Sequence, residues 1–250
     1  MKKLLLLFVF LTQANQIYGQ VNIESIRNSK ESKKPLWGEA KGGLELQRGN
    51  VEINSFDLDF LVHLKKNKNH IFLQSKTSQG KQNNIKFKNT SFLHLRWTWM
   101  FKRLLGLEIF TQLQHDQFKD LEIRQLNGCG IRSEVFNSKN LSLSIGSGAM
   151  HDFERLTSKE ESGVIRSTSY ITALKSFNKK NLVSFTIYYQ PLFSNMNDYR
   201  INMESSIRTE FLSFWNIYLD NSINYLYDTK PPNNIETKDL IVKTSLVYSW

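Results

Sequence analysis

Residues 199–211 read YRINMESSIRTEF. Arg200, Asn202, Glu204, Ser206, Arg208 and Glu210 are polar, whereas Tyr199, Ile201, Met203, Ile207 and Phe211 on the other parity are apolar. Successive side chains of a strand point to opposite faces, so this stretch predicts a strand with one wet face and one oily face.

The same alternation recurs on both sides of this stretch. Phe56, Leu58, Phe60, Val62 and Leu64 oppose Ser55, Asp57, Asp59 and His63, and Leu93, Leu95, Trp97 and Trp99 oppose His94, Arg96 and Thr98. Leu105, Leu107, Ile109 and Leu113 oppose Glu108, Gln112 and Gln114, while Val183, Phe185, Ile187 and Tyr189 oppose Ser184, Thr186, Tyr188 and Gln190. Twelve strands are predicted, over residues 36–48, 51–64, 70–79, 85–99, 105–116, 121–135, 141–153, 164–175, 182–190, 199–211, 215–227 and 236–250. The alternation of 164–175 is blurred and assigns no faces. Residues 36–250 supply about 18 positions per strand and connection, which suits membrane strands of ~9–11 residues joined by tight turns.

Connections fall into a short set at 65–69, 101–104, 136–140, 177–181 and 212–214, and a longer set at 155–163, 191–198 and 229–235. Outer-membrane barrels keep short turns on the periplasmic side and long loops outside. An even strand count with both ends inside puts each short turn where that rule requires, although the tight turn at 48–50 falls on the outer side.

Composition narrows the choices. The 250 residues are 40% hydrophobic and 22% charged, with a formal charge of +10. No apolar run approaches the ~20 residues of a membrane-spanning helix. Cys129 is the only cysteine, so an internal disulfide and a cysteine zinc cage are both excluded. Residues 1–19 read as a secretory signal: Lys2 and Lys3 precede the apolar run 4–11, and Gly19 offers a small residue for cleavage. Residues 20–35 are polar and lysine-rich and read as a periplasmic arm, leaving residues 36–250 for an outer-membrane barrel.

A soluble sandwich also alternates, burying one face in a core. Export, a charged inward face and the chain end argue for lipid instead. Asp57, Asp59, Arg96, Glu108, Arg132, Arg200, Glu204 and Arg208 are candidate lumen-lining residues, joined by Glu39, Lys41, Glu45, Lys88, Asp239 and Lys243. Leu246, Tyr248 and Trp250 alternate to an aromatic end, the kind of last strand that the barrel-assembly machinery recognises. The expected fold is therefore all-β: a closed antiparallel transmembrane β-barrel of about twelve strands. Trp97, Trp99, Phe101, Trp215, Tyr225 and Tyr227 suit the aromatic girdles of its rims.

Residues 38–60 (GEAKGGLELQRGNVEINSFDLDF), the Gly49-Asn50 turn, residues 128–132 and the ending 231–250 resemble the salt-induced outer-membrane proteins, a family catalogued as a domain of unknown function. The resemblance implies an outer-membrane barrel and supplies no substrate. The signal ending before Gln20 is similar to those of Bacteroidetes-type Gram-negative bacteria.

Catalytic constellations fare poorly. Barrel lipases place a serine two residues after a histidine, on one face of a strand. Here that position holds Lys65, Phe72, Arg96, Gln117 and Phe153 for His63, His70, His94, His115 and His151. The dipeptides His115-Asp116 and His151-Asp152 leave a surface hydrolase as an alternative, but neighbours on a strand face opposite ways. His151 and Glu154 likewise diverge, and no motif calls for a metal or cofactor. Gly128, Gly130, Gly146 and Gly148 sit inside strand patterns and read as sites of curvature or close packing in a bent wall; alternatively, Gly128, Gly130, Ser142, Ser144, Gly146 and Gly148 form a smooth inward patch that leaves a narrow passage or seats a ligand. Lys65, Lys66, Lys68, Lys102, Arg103, Lys179 and Lys180 gather in the inner turns, where anionic lipid headgroups attract them. Nucleic acid is not an expected partner, and the sequence is silent on oligomeric state. The functional expectation is a narrow channel for small polar solutes or an envelope-stress structural protein. A docking partner for another envelope protein is the remaining alternative.

Overall fold

The computed structural model describes residues 35–47, 52–178, 181–231 and 235–250. The signal peptide, nearly all of the arm, the 48–50 turn, Lys179, Lys180 and Pro232 lie outside these residues, as does the side chain of Glu45.

Alternation becomes twelve strands: β1 (Leu36–Gln47), β2 (Ile53–Lys66), β3 (Asn69–Gln82), β4 (Ile85–Trp99), β5 (Leu105–Asp116), β6 (Leu121–Asn137), β7 (Leu141–Leu156), β8 (Glu161–Ser176), β9 (Asn181–Leu192), β10 (Asn195–Leu212), β11 (Ile217–Asp228) and β12 (Lys238–Ser249). Each is antiparallel to its neighbours in sequence, and β1 pairs with β12 to close the ring. That pairing, at the end of the seam nearest the termini, joins the two ends of the sheet, and a closed ring is the form in which strands cross lipid.

The hydrophobic residues are on the outside. On β2, Phe56, Leu58, Phe60, Val62 and Leu64 are all exposed, whereas Ser55, Leu61 and His63 on the other parity are buried. Arg96, Arg132, Gln74, Gln112 and Thr186 are buried inside. A soluble sandwich would present the reverse, and an apolar belt of this extent in water would drive aggregation. The belt is solvated by hydrocarbon, and the fold is a transmembrane β-barrel.

Several connections are tighter than the sequence suggests. The segment 191–198 is not a long loop: β9 runs to Leu192 and β10 begins at Asn195, with a register shift between Asn195 and Tyr199. The segment 155–163 likewise shrinks to the four residues between Leu156 and Glu161. Polar residues such as Ser162 and Asn195 carry no hydropathy alternation, yet their backbones continue the ladder beyond the lipid. At the β3–β4 turn, Asn83 and Asn84 both adopt the left-handed conformation (φ 48° and 64°). This two-residue hairpin needs such a backbone at both positions, and asparagine tolerates it. Trp215 sits in a 3₁₀ turn, Ser213–Trp215, rather than in β11. The faces of β8 are now fixed: Arg166, Thr168, Tyr170, Thr172 and Leu174 point inward, and Ile165 and Ile171 outward.

Candidate functional site

Inward side chains from every strand meet in the lumen, and charged groups organise them. Asp152 of β7 accepts from Arg124 Nε at 2.9 Å and Nη2 at 2.8 Å, and from Arg200 Nη1 at 2.6 Å. Arg166 stands 3.4 Å from the same carboxylate. Arg200, on β10, also reaches Glu154 at 2.9 Å and Asp228 at 2.6 Å. Strands β7 and β10 are three places apart in the ring, so this guanidinium crosses the lumen as a chord. A buried charge is tolerable only when paired and hydrogen-bonded, and each member here meets that condition.

A second chord joins β5 and β8. The Tyr170 hydroxyl donates to Glu108 at 2.8 Å and accepts from Arg132 at 3.1 Å; Arg132 also donates to Ser144 at 2.8 Å. Arg96 approaches Glu108 at 3.3 Å, with its guanidinium 5.0 Å from the Phe110 ring centre. On the opposite side, Arg208 of β10 bonds Glu39 of β1 at 2.7 Å and Asp220 at 3.1 Å, while Lys41 takes Asp220 at 2.9 Å.

Between these packed clusters runs a less buried stripe. Lys41, Asp57, Asp59, Lys76, Lys88 and Lys243 retain 15–34% side-chain exposure, whereas Arg96, Asp152, Arg200 and Arg208 keep 8% or less. Asp57 receives Lys88 at 2.7 Å, Lys243 at 3.8 Å and the Ser78 hydroxyl. Asp59 faces Lys76 at 3.6 Å and accepts from Gln74. Glu204 is half-buried on this side and makes no ion pair among the described residues. Of the eight candidate lumen residues, Asp57, Asp59 and Glu204 thus belong to the stripe. Arg96, Glu108 and Arg132 share one cluster, and Arg200 and Arg208 anchor two others.

Large rings on the inward parity complete the filling. Trp37 stacks on His63 with centroids 4.7 Å apart, His63 Nδ1 lies 3.0 Å from His70 Nε2, and Phe72 links His63 to His94. Sequence reasoning placed His63 and His94 on the inward parity but overlooked Trp37 and Phe72, because it sought charges. A bulky aromatic on an otherwise polar parity was the available signal.

The glycines serve close packing, and the alternative of a smooth patch is overturned. A Cβ on Gly128 would strike the Phe110 ring and one on Gly146 the Tyr170 ring, so both glycines are seats for aromatic side chains of the neighbouring strands. Each dipeptide turns its histidine away from its aspartate. Asp152 is buried among guanidiniums while His151 is exposed on the other face, and His115 Nδ1 bonds the Glu122 carbonyl at 2.9 Å.

At the rim remote from the termini, the turn Gln117–Lys119 folds inward. Lys119 Nζ bonds Asp239 of β12 at 3.0 Å, five strands away around the ring. Burial raises the Asp116 carboxyl to about 6, and burial lowers the Lys119 ammonium to about 8.

Residues 40–250 match a family described as a protein of unknown function, DUF481. The chain belongs to the DUF481 family. No curated protein matches its sequence. Among solved structures, this DUF481 chain is similar to the translocator domain of the autotransporter NalP from Neisseria meningitidis. That pair has a TM-score of 0.52 and 9% identity over 90% of this chain and 91% of that one. The NanC porin follows at 0.49 and 8%, over 85% and 97%, and the KdgM porin at 0.47 and 10%, over 86% and 99%. At these identities the likeness of the DUF481 chain to them is one of fold.

Proposed function

We propose that this chain is an outer-membrane barrel that conducts small polar solutes through a narrow, charge-lined lumen. In this reading residues 1–19 are a cleaved signal, residues 20–35 a periplasmic arm, and both ends of the barrel face the periplasm. Leu246, Tyr248 and Trp250, all exposed on the outer face of β12 and its end, are the strip the assembly machinery reads.

One observation carries the reading: the stripe of Lys41, Asp57, Asp59, Lys76, Lys88 and Lys243 stays accessible between clusters that are otherwise filled. Opposed charges in a narrow barrel hydrate a small polar solute while leaving no room for a large one. Twelve strands give a lumen well below that of 16-stranded porins.

Planar-bilayer recording of the refolded chain tests this. Small, resolved conductance steps are expected, and the double change Lys76→Glu and Lys243→Glu shifts the reversal potential in a salt gradient towards cation selectivity. Absence of conductance, or an unchanged reversal potential, overturns the proposal.

A further inference from the structure

The wall of the barrel is not equally joined all the way round. Eleven of the twelve neighbouring pairs are hairpins, whereas β1 and β12 meet only through ring closure. Their register comprises Glu39↔Ser249, Ala40↔Tyr248, Lys41↔Val247 and Gly42↔Leu246, extended at the terminal end by Trp250 N donating to the Gly38 carbonyl at 3.1 Å. There it stops. Residues 43–47 of β1 remain paired to β2, and residues 238–245 of β12 stay largely paired to β11, but among the described residues neither run pairs with the other. The half of the seam remote from the termini is open.

Three features characterise the opening. Its lipid-side lips are apolar and unusually bare: Leu44 is 72% and Val242 67% exposed, with Leu46 and Leu240 beside them. The hinge point is side-chain-free, since a Cβ on Gly42 would meet nothing within 4 Å and one on Gly43 only the Asp57 side chain at 3.7 Å. Behind the lips stands the least buried part of the lumen, where Lys243 holds Asp57 at a long 3.8 Å. An unpaired strand edge is not tolerated against hydrocarbon, because its N–H and C=O groups find no partner there. The gap must therefore admit something that is polar where it meets the backbone and lumen, and apolar where it leaves between the leucines.

We propose that the open half of the β1–β12 seam is a lateral port for an acyl lipid with an anionic headgroup. The head enters the lumen beside Lys243 and Lys41, donating and accepting along the free edges, while the chains stay in the leaflet remote from the termini. The inference goes beyond conduction of solutes and does not depend on it.

The test uses the full chain refolded in phosphatidylcholine vesicles containing phosphatidylglycerol with a photoactivatable diazirine on its headgroup. Irradiation is expected to place adducts on the β2 segment that carries Asp57 and Asp59. Lys243→Glu should lower that yield at least fivefold, as should moving the diazirine to a phosphatidylcholine headgroup. In a Cys129→Ser background, an oxidised Leu44→Cys/Thr244→Cys pair should abolish the adducts and reduction should restore them. Hydrogen exchange on the unmodified chain gives an independent reading, with seam-side amides of 43–47 exchanging at least tenfold faster than those of β6. Adducts confined to the outer face, equal yields in all arms, or protection equal to that of β6 overturns the port. A second copy of the chain recovered cross-linked along this edge would also overturn it. Labelling is scored whether or not the barrel conducts, so the two proposals fail separately.

Discussion

The Asp116 carboxyl caps the turn at the rim remote from the termini, accepting from Phe118 N at 3.1 Å, and is buried enough to titrate near 6. Burial disfavours its charged form, so the native state holds the proton more tightly than the unfolded chain does. Its contribution to stability is complete below the ordinary value of 3.8 and is lost as pH rises through about 6. Asp116→Asn keeps an acceptor for the cap and removes the titration. Thermal unfolding followed from pH 4 to 7 should therefore fall for the wild-type chain relative to the variant, and parallel curves would refute the assignment. Lys119, near 8, titrates above that window. At this scale the sequence was legible in parity, since a charged residue among alternating apolar ones must face inward. Partners were not legible: Lys119 and Asp239 are 120 residues apart, and nothing local announces their bond.

Strands β6 and β7 approach each other closely at a pair of glycines. Gly130 and Gly148 are cross-strand partners, and a Cβ on Gly148 would meet the Gly130 Cα at 2.6 Å as well as the Cys129 carbonyl. Gly148→Ala should cost about 1–3 kcal/mol through this overpacking, whereas Gly42→Ala, which projects into open space, should be close to neutral. Urea midpoints of the two variants in vesicles separate the cases, and equal midpoints would show that the strands yield at no cost. Element existence and type were readable because period two persists across each lipid-spanning stretch. Element ends were not, as β10 illustrates: of its first four residues, Asn195 to Asp198, only Met196 is apolar, too little to mark where the strand begins. The meaning of the glycines was hidden for a related reason, because the rings that occupy them come from the adjacent strands β5 and β8.

Across the whole molecule, stability of the lumen rests on chords rather than on an apolar core. Arg200 makes ion pairs with three carboxylates, Asp152, Glu154 and Asp228. Truncating one partner of a buried ionic network leaves uncompensated charge, so Arg200→Ala should lower the unfolding free energy by about 3–5 kcal/mol. The urea midpoint of the refolded variant measures this, and a loss under about 1 kcal/mol would mean that water replaces the guanidinium freely. Sequence patterning anticipated charges of both signs inside, but which arginine spans which strands depends on barrel circumference and stagger, quantities that no single strand encodes.

The ring closure has a kinetic corollary. Gly42 and Leu246 meet although about two hundred residues separate them, while every other pairing is between strands adjacent in sequence. Short-range hairpins zip rapidly, and long-range encounters are slow because chain entropy must be lost first. The first strand consequently waits, half-dressed, until eleven others have been laid down in order. Any chaperone escorting the nascent polypeptide has that one orphan ribbon to shield for longest, and the final turn of assembly is the moment at which it can let go.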